Sequence, residues 1–509
     1  MSNWLFDAIR AAAPDPSSLF LETPRGDWSY ADLFARSARL ANTLVAMGVA
    51  PGERVAVQVE KSAEALTLYL ACVRAGAVYL PLNTGYTPTE LDYFVGDAEP
   101  RVLVVDPAAE QALAPVAAKH RARLETLSAD GGGSLLTAAA QASDRFEDVA
   151  RGPDDLAAIL YTSGTTGRSK GAMLSHDNLL SNALTLKDLW HFSREDRLIH
   201  ALPIFHTHGL FVATNIVLAA GASMIFMPRF DAASVIAAMP RATVLMGVPT
   251  FYVRLLQQPG LTREATAGMR LFVSGSAPLL AETHRAFEER TGQKILERYG
   301  MTETNMITSN PYEGERVAGA VGFPLPGVSL RVADPESGAP LPEGEVGMIE
   351  VKGPNVFKGY WRMPEKTRAE FRPDGFFITG DLGRIDERGY VWIVGRGKDL
   401  VISGGYNIYP KEVELEIDQL PGVVESAVIG VPHPDFGEGV TAVVVPVQGH
   451  AVDENGVLAA LEGRLARYKQ PKRVMFVDEL PRNTMGKVQK NVLRDRYADL
   501  YARPRAIGG

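Results

Sequence analysis

The chain has 509 residues, 46% hydrophobic and 22% charged, with a formal net charge of −8 and one cysteine. That length asks for more than one core, the acidic balance argues against a general nucleic-acid binder, and a lone cysteine excludes an intrachain disulfide framework or a Cys-rich zinc site. The first ten residues lack the basic region and long apolar core of a secretion signal, and no apolar run approaches a membrane span, so the expectation is a cytoplasmic enzyme without membrane or nucleic-acid partners.

From Ser29 the chain alternates helix-like and strand-like segments. Leu33, Leu40, Leu44 and Met47 mark one helix face, with Ser37 on the same side; residues 54–59 read as a strand and 62–75 as a helix in which Cys72 is a buried, inert thiol. Thr87-Pro-Thr-Glu90 has the form of a capping box with Pro at the first helical position, and 101–105 reads as another strand. Such alternation predicts a largely parallel sheet covered on both faces. Residues 129–151, rich in Ala and Gly, read as a solvated connector.

A short apolar run, Leu156 to Leu160, then leads into Tyr161-Thr-Ser-Gly-Thr-Thr-Gly-Arg-Ser-Lys-Gly171. Glycines allow turns in which successive N–H groups face one concavity, a cradle for phosphate oxygens. Thr162, Ser163, Thr165 and Thr166 add hydroxyls around Gly164 and Gly167, and Lys170 adds a positive charge. A mobile surface loop is the bland alternative. It is not a Walker A loop, because Gly171 rather than Ser or Thr follows Lys170. Further strands are expected at 197–202, 223–227, 242–248 and 271–274, with Thr250 as N-cap of a helix from Phe251 to Gln258 and another helix over 280–291. From about Gly322 short strands broken by Gly and Pro predict a small antiparallel sheet or barrel. Past Arg396 the pattern becomes α+β, with a helix opened by Pro410 and a final helix from Val488.

Tyr161–Gly171, Leu202–Gly209, Val273–Pro278, Tyr299-Gly-Met-Thr-Glu303, Tyr360-Trp361, Gly380-Asp381, Gly395-Arg-Gly-Lys-Asp-Leu400, Ser403-Gly-Gly-Tyr-Asn407 and Pro481-Arg-Asn-Thr-Met-Gly-Lys487 occur in this order. Together they resemble the acyl-adenylating superfamily of acyl-CoA synthetases, luciferases and peptide-synthetase adenylation domains. The resemblance implies a large N-terminal α/β domain over 1–396, with parallel sheets flanked by helices plus a small β-barrel-like subdomain. It also implies a smaller mobile α+β C-terminal domain over 397–509, hinged near Lys398. The implied substrates and cofactors are ATP, Mg²⁺ and coenzyme A.

By the same resemblance, Thr162, Ser163, Gly164, Thr165, Thr166, Gly167 and Lys170 meet the outer phosphates. Gly275, Ser276 and Ala277 lie along the adenine opposite Tyr299, within the nucleotide-facing stretch Glu297, Arg298, Tyr299, Gly300, Met301 and Thr302. Glu303 takes the metal, Asp381 the ribose, and Arg396 the ribose and phosphate region. Lys487 pairs with the attacking carboxylate, Lys398 is the hinge, and Gly404, Gly405 and Tyr406 line a pantetheine tunnel. Thr302, Glu303, His206 and Lys487 form the catalytic set. A non-catalytic nucleotide-binding protein would be expected to lack Lys487 or Glu303. The family also implies acetyltransferase and deacetylase partners acting on Lys487.

The acyl pocket is expected among His206, Thr207, Arg254, Ser276, Arg298 and Met306. Arg254 stands about one turn into the helix that Thr250 would cap, and an Arg near the positive end of a helix needs an anion close by. The plain explanation for Arg254 and Arg298 is a pair of structural ion pairs with Glu264 and Glu297. The sharper one is a substrate with a second carboxylate: at about 4 Å and an effective dielectric near 20, a charge pair is worth roughly 4 kcal/mol, more than the roughly 1–3 kcal/mol of a methylene. Glu297–Thr304, Ser274–Ala277 and Arg254 after Val-Pro-Thr resemble malonyl-CoA synthetases in particular, which implies malonate, with methylmalonate as a further candidate, bound by Arg254, Ser276 and Arg298. Short-chain, medium-chain or aryl monocarboxylates, and a carrier-protein thiol in place of CoA, are the alternatives.

Overall fold

A computed structural model describes residues 2–162, 169–403, 406–450, 452–462, 464–465, 467–483 and 486–502. They fall into two compact units, Met1–Leu330 with Val351–Phe377, and Arg331–Glu350 with Ile378–Gly509. The expected boundary after Arg396 lies inside the second unit, because the small sheet ending at Arg396 groups with the residues that follow it.

The first unit is the α/β body. One sheet runs Arg123–Thr126, Val102–Val105, Arg54–Gln58, Val78–Pro81, Leu156–Thr162 and Lys170–Ser175, parallel except for its last strand. The other sheet has nine strands. Its centre is the parallel set Ile295–Met301, Leu271–Ser274, Val244–Gly247, Arg197–His200 and Ser223–Phe226. Val244–Gly247 and Leu271–Ser274 are buried at every position, as strands covered on both faces must be, which is why their sequences are near-continuous apolar runs.

Local signals placed the helices well. Thr87 Oγ1 accepts the Glu90 N–H while Glu90 Oε2 accepts the Thr87 N–H, so the expected capping box forms. Helix Tyr30–Ala46 buries Leu33, Ser37, Leu40 and Leu44, with Ser37 Oγ accepting a bond from Arg74. Cys72 is fully buried and its thiol is pushed up by desolvation. Within the expected connector, Ser134–Ala139 forms a short helix, because Leu135 and Ala139 find a buried side.

One local expectation fails. Thr250 is not an N-cap: helix Pro249–Leu256 starts earlier, with Val248 before it and Pro249 in the first turn. Proline is pre-set for that position, so it outcompeted the Thr signal. The segment after Pro203 opens as a π-helix, His208–Ala213, before the α-helix Thr214–Ala220.

The second unit holds the body of a four-stranded sheet, in the order Ser329–Ala333, Gly347–Lys352, Phe377–Ile385, Val391–Arg396. It also holds a five-stranded sheet built on Val423–His433 and Gly437–Pro446, with helices Pro410–Ile417, Glu454–Leu461 and Lys490–Arg496. Val413, Ile417 and Leu420 supply an apolar stripe to its core. Among the described residues no helix is long and apolar enough to cross a membrane.

Candidate active site

In the first unit, the Tyr-Gly-Met-Thr-Glu motif is a hairpin. Ile295–Met301 pairs antiparallel with Asn305–Ser309, and Thr302, Glu303 and Thr304 make its turn. A side chain at Gly300 would meet Asn305 O at 2.0 Å, so the hairpin closes only with glycine there.

Glu303 is buried, and Tyr360 Oη lies 3.0 Å from its Oε1 and 2.6 Å from Glu370 Oε2. Burial, with the two carboxylates beside it, holds the phenol in its protonated form, well above the usual tyrosine range. Glu370 Oε1 in turn stands 3.2 Å from Lys170 Nζ, which sits 4.2 Å from the centre of the Tyr360 ring. Lys170 reaches this place because its strand pairs with Leu156–Thr162, with Thr162 directly opposite. Glu370 was not foreseen: in the sequence it reads as the surface partner of Lys366 four residues earlier, and it does contact Lys366 at 2.6 Å.

A donor set of one buried carboxylate suits Mg²⁺, which takes one or two carboxylates and completes its shell with phosphate oxygens and water. Among the described residues no cluster of three or more His, Cys, Asp or Glu offers an all-protein metal cage.

A second constellation lies at the strands Leu271–Ser274 and Ile295–Met301 of the large sheet. Arg298 is 4% exposed. Its guanidinium packs on Gly275, where an added Cβ would fall 2.3 Å from Cζ. Nε and Nη2 find no acceptor among the described residues. Burial pulls Arg298 down from its usual range to about 9, which leaves it charged at neutral pH. Glu297 does not neutralise it: that side chain accepts the Gly319 N–H at 2.9 Å and lies 3.7 Å from His284 Nδ1.

Ser276 follows Gly275 in the left-handed region at φ 71°, rare for a residue with a side chain, and its Oγ is 3.2 Å from His208 Nδ1. The His206–Gly209 segment is anchored from behind. Lys61 Nζ lies 2.9 Å from His200 Nδ1, and His200 Nε2 lies 2.8 Å from Gly209 O. A carbonyl oxygen can only accept, so His200 donates from Nε2, and its ring, kept neutral by burial beside Lys61, accepts at Nδ1. Thr207 and Met306 are buried, and His206, Ser276, Ala277 and Tyr299 are half-buried.

Arg254 is exposed and sits in the last turn of its helix, where the dipole favours a cation. The helix dipole therefore calls for no anion at Arg254, contrary to the expectation from a start at Thr250. No ion pair joins Arg254 to Glu264 among the described residues; the Glu264 side chain bonds instead to Thr262.

In the second unit, Asp381 is buried and pairs with Arg396, Oδ1 to Nε 2.6 Å, directly across two neighbouring strands. Lys398 lies exposed in the turn Gly397–Asp399, and Asp399 is tied to Arg494 at 2.9 Å. Tyr406 is 57% exposed and stacks on Tyr468 with ring centres 4.6 Å apart. Lys487 is exposed at a loop whose base is closed by two bonds to Asn483, its N–H to Oδ1 and its carbonyl from the Asn483 N–H, both 2.9 Å. Ser163, Gly164, Thr165, Thr166, Gly167, Gly404 and Gly405 lie outside the described residues.

Residues 9–361 match the family model described as AMP-binding enzyme, and 412–487 match the AMP-binding enzyme C-terminal domain. The chain is 38% identical to a feruloyl-CoA synthase of Amycolatopsis sp over 96% of its length and 98% of that protein's. It is 35% identical to a malonate–CoA ligase of Arabidopsis thaliana, over 88% of this chain and 78% of the plant protein. Among solved structures, ATP-bound MatB from Rhodopseudomonas palustris is 67% identical, with a TM-score of 0.97 over 98% of this chain and 100% of that one.

Proposed function

The chain belongs to the AMP-binding enzyme family and is an ATP-dependent, AMP-forming acid–CoA ligase, and on that premise we propose that its acid is malonate. The observation that carries this reading is the Arg298 guanidinium, buried against Gly275 with no carboxylate to neutralise it among the described residues. A buried arginine cannot shed its charge cheaply and requires a partner. A substrate's second carboxylate supplies one; the tail of a monocarboxylate or an aryl acid leaves the charge unpaired. The malonate–CoA ligase relationship supports the same substrate. Ser276 follows the glycine on which that guanidinium packs, and Arg254 is assigned as the outer cation of the proposed pocket. Met306 and Thr207, both buried, border the α-carbon and decide whether methylmalonate enters.

In the first half-reaction a carboxylate oxygen attacks the α-phosphorus of ATP, forming the C–O–P bond of malonyl-adenylate as the bond to pyrophosphate breaks. In the second, the CoA sulfur attacks the acyl carbon and AMP leaves with the electron pair. Both steps bring anions together, so cations and N–H donors at fixed positions lower the barrier most. We assign Lys487 to the attacking carboxylate and α-phosphate, Thr302 to the α-phosphate, and Lys170 to the outer phosphates. Thr162 and the loop after it complete that cradle. Glu303 would hold Mg²⁺, which when bound spreads the phosphate charge; Tyr360 keeps one Glu303 oxygen oriented.

His206 borders the reacting carboxyl, and Gly275, Ser276, Ala277, Tyr299 and Gly300 frame the nucleotide. Asp381 and Arg396 are assigned to the ribose, Lys398 to the hinge, and Tyr406 with Gly404 and Gly405 to the pantetheine arm. An exposed lysine is also open to an acetyl-transferring partner, and acetylation of Lys487 would remove the charge adenylation needs. The setting proposed is cytoplasmic, where ATP and CoA are both at hand.

Pyrophosphate release with malonate, acetate and butyrate tests the substrate. The expected result is kcat/KM for malonate at least 100-fold above either monocarboxylate, with the advantage lost in Arg298→Ala. Equal use of the three acids, or indifference to Arg298→Ala, overturns the reading.

A further inference from the structure

His208 has a role that neither the catalytic nor the nucleotide assignments use. It opens the π-helix, is 3% exposed, and touches Ser276 Oγ through Nδ1. Its Nε2 has no partner among the described residues. One residue earlier, Thr207 Oγ1 is also buried and unpartnered, and so are Nε and Nη2 of Arg298. Buried polar atoms without partners are uncommon. Here they gather around one turn: Arg298 packs on Gly275, and His208 contacts the next residue, Ser276.

Burial and the neighbouring guanidinium push His208 well below the ordinary histidine range, so its ring is neutral. A neutral imidazole has one donor nitrogen and one acceptor nitrogen. When the Ser276 hydroxyl donates to Nδ1, the proton must sit on Nε2. A carboxylate with two acceptor oxygens then satisfies both Arg298 and His208, without a second buried cation.

Resting on the malonate reading, we infer that His208, fixed by Ser276 as the Nε2–H tautomer, is a specificity-determining donor to the substrate's distal carboxylate. Arg298 supplies the charge and His208 the direction. The contact is to the non-reacting end of the acid, so it acts on acid binding and choice, leaving the ATP phosphates untouched.

The test compares wild type, His208→Asn and His208→Gln in steady-state kinetics with malonate, acetate and ATP. Asn keeps a polar atom near the Nδ1 position but cannot reach the Nε2 position; Gln reaches it with an amide N–H. In His208→Asn, KM for malonate is expected to rise on the order of 10- to 100-fold, the range of a lost hydrogen bond to a charged group. KM for ATP and the constants for acetate stay within about twofold. His208→Gln restores most of the malonate affinity. Both variants are melted thermally beside wild type, and malonate's protection against melting in the presence of ATP gives a second readout. A wild-type enzyme with no preference for malonate over acetate overturns the substrate reading and this inference together. A malonate preference that His208→Asn leaves intact, or a loss that Gln fails to restore, overturns the inference alone.

Discussion

Glu297 and Arg298 are neighbours in one strand whose side chains take opposite sides of it. Glu297 accepts the Gly319 N–H at 2.9 Å beside His284, while the Arg298 guanidinium lies against Gly275. Alternation along a strand forbids the pair that their adjacency in sequence suggests. The consequence is a buried cation whose Nε and Nη2 find no partner among the described residues.

Gly275 should therefore control acid binding. In Gly275→Ala the new Cβ would come within 2.3–2.5 Å of three guanidinium atoms, so Arg298 has to move. Overpacking of this kind costs roughly 1–3 kcal/mol. The expected outcome is a tenfold or larger rise in KM for malonate, greater than the rise in KM for ATP, measured by initial rates of pyrophosphate release. An unchanged malonate KM would show that the guanidinium is not held where the pocket needs it.

Tyr360→Phe removes the hydroxyl that stands between Glu303 and Glu370 and leaves two carboxylates without their shared donor. A hydrogen bond to a charged group contributes about 1.5–3 kcal/mol. The Mg²⁺ concentration for half-maximal adenylation should rise several-fold, while KM for malonate stays near wild type. A Mg²⁺ titration at saturating ATP and malonate checks this, and an unaltered curve would remove Tyr360 from the metal site.

Lys487→Ala should separate the two half-reactions. Pyrophosphate release from ATP and malonate is expected to fall by at least 100-fold, whereas thioester formation from chemically prepared malonyl-adenylate and CoA should fall much less. Equal loss in both would make Lys487 structural. The exposed position of the side chain predicts only a small change in melting temperature.

Asp418 offers a pH test in the second unit. Burial, with Glu414 and Glu425 near, pushes its carboxyl up to about 6 from 3.8, although Ser426 donates a hydrogen bond at 2.7 Å. An acid whose folded pKa is raised binds more protons folded than unfolded between those values. Stability thus falls as pH rises from about 4 to about 6, and the cost persists above that window. Asp418→Asn keeps an acceptor for Ser426 and removes the charge. It should stabilise that unit by about 1–3 kcal/mol at pH 7.5, with the gain vanishing near pH 4. Melting curves at the two pH values decide it; equal melting temperatures at pH 7.5 would reject the argument.

Short-range rules made much of this protein legible in its sequence. The Thr87–Glu90 capping box, the apolar parallel strands, the buried Cys72 and the ordered motifs that mark an acid–CoA ligase all depend on a few neighbouring residues or on spacing along the chain. Tertiary structure decided which charges meet. It put Lys170 and Tyr360, far apart in sequence, on the same Glu370; it paired Asp381 with Arg396; and it started the helix of Arg254 at Pro249, turning an apparent anion site into a favourable C-terminal cation. It also left Nε and Nη2 of Arg298 and Nε2 of His208 buried around one turn without partners among the described residues. The physical reason is that a hydrogen bond or ion pair is set by which faces the sheet brings together, and a linear motif carries no record of the partner opposite.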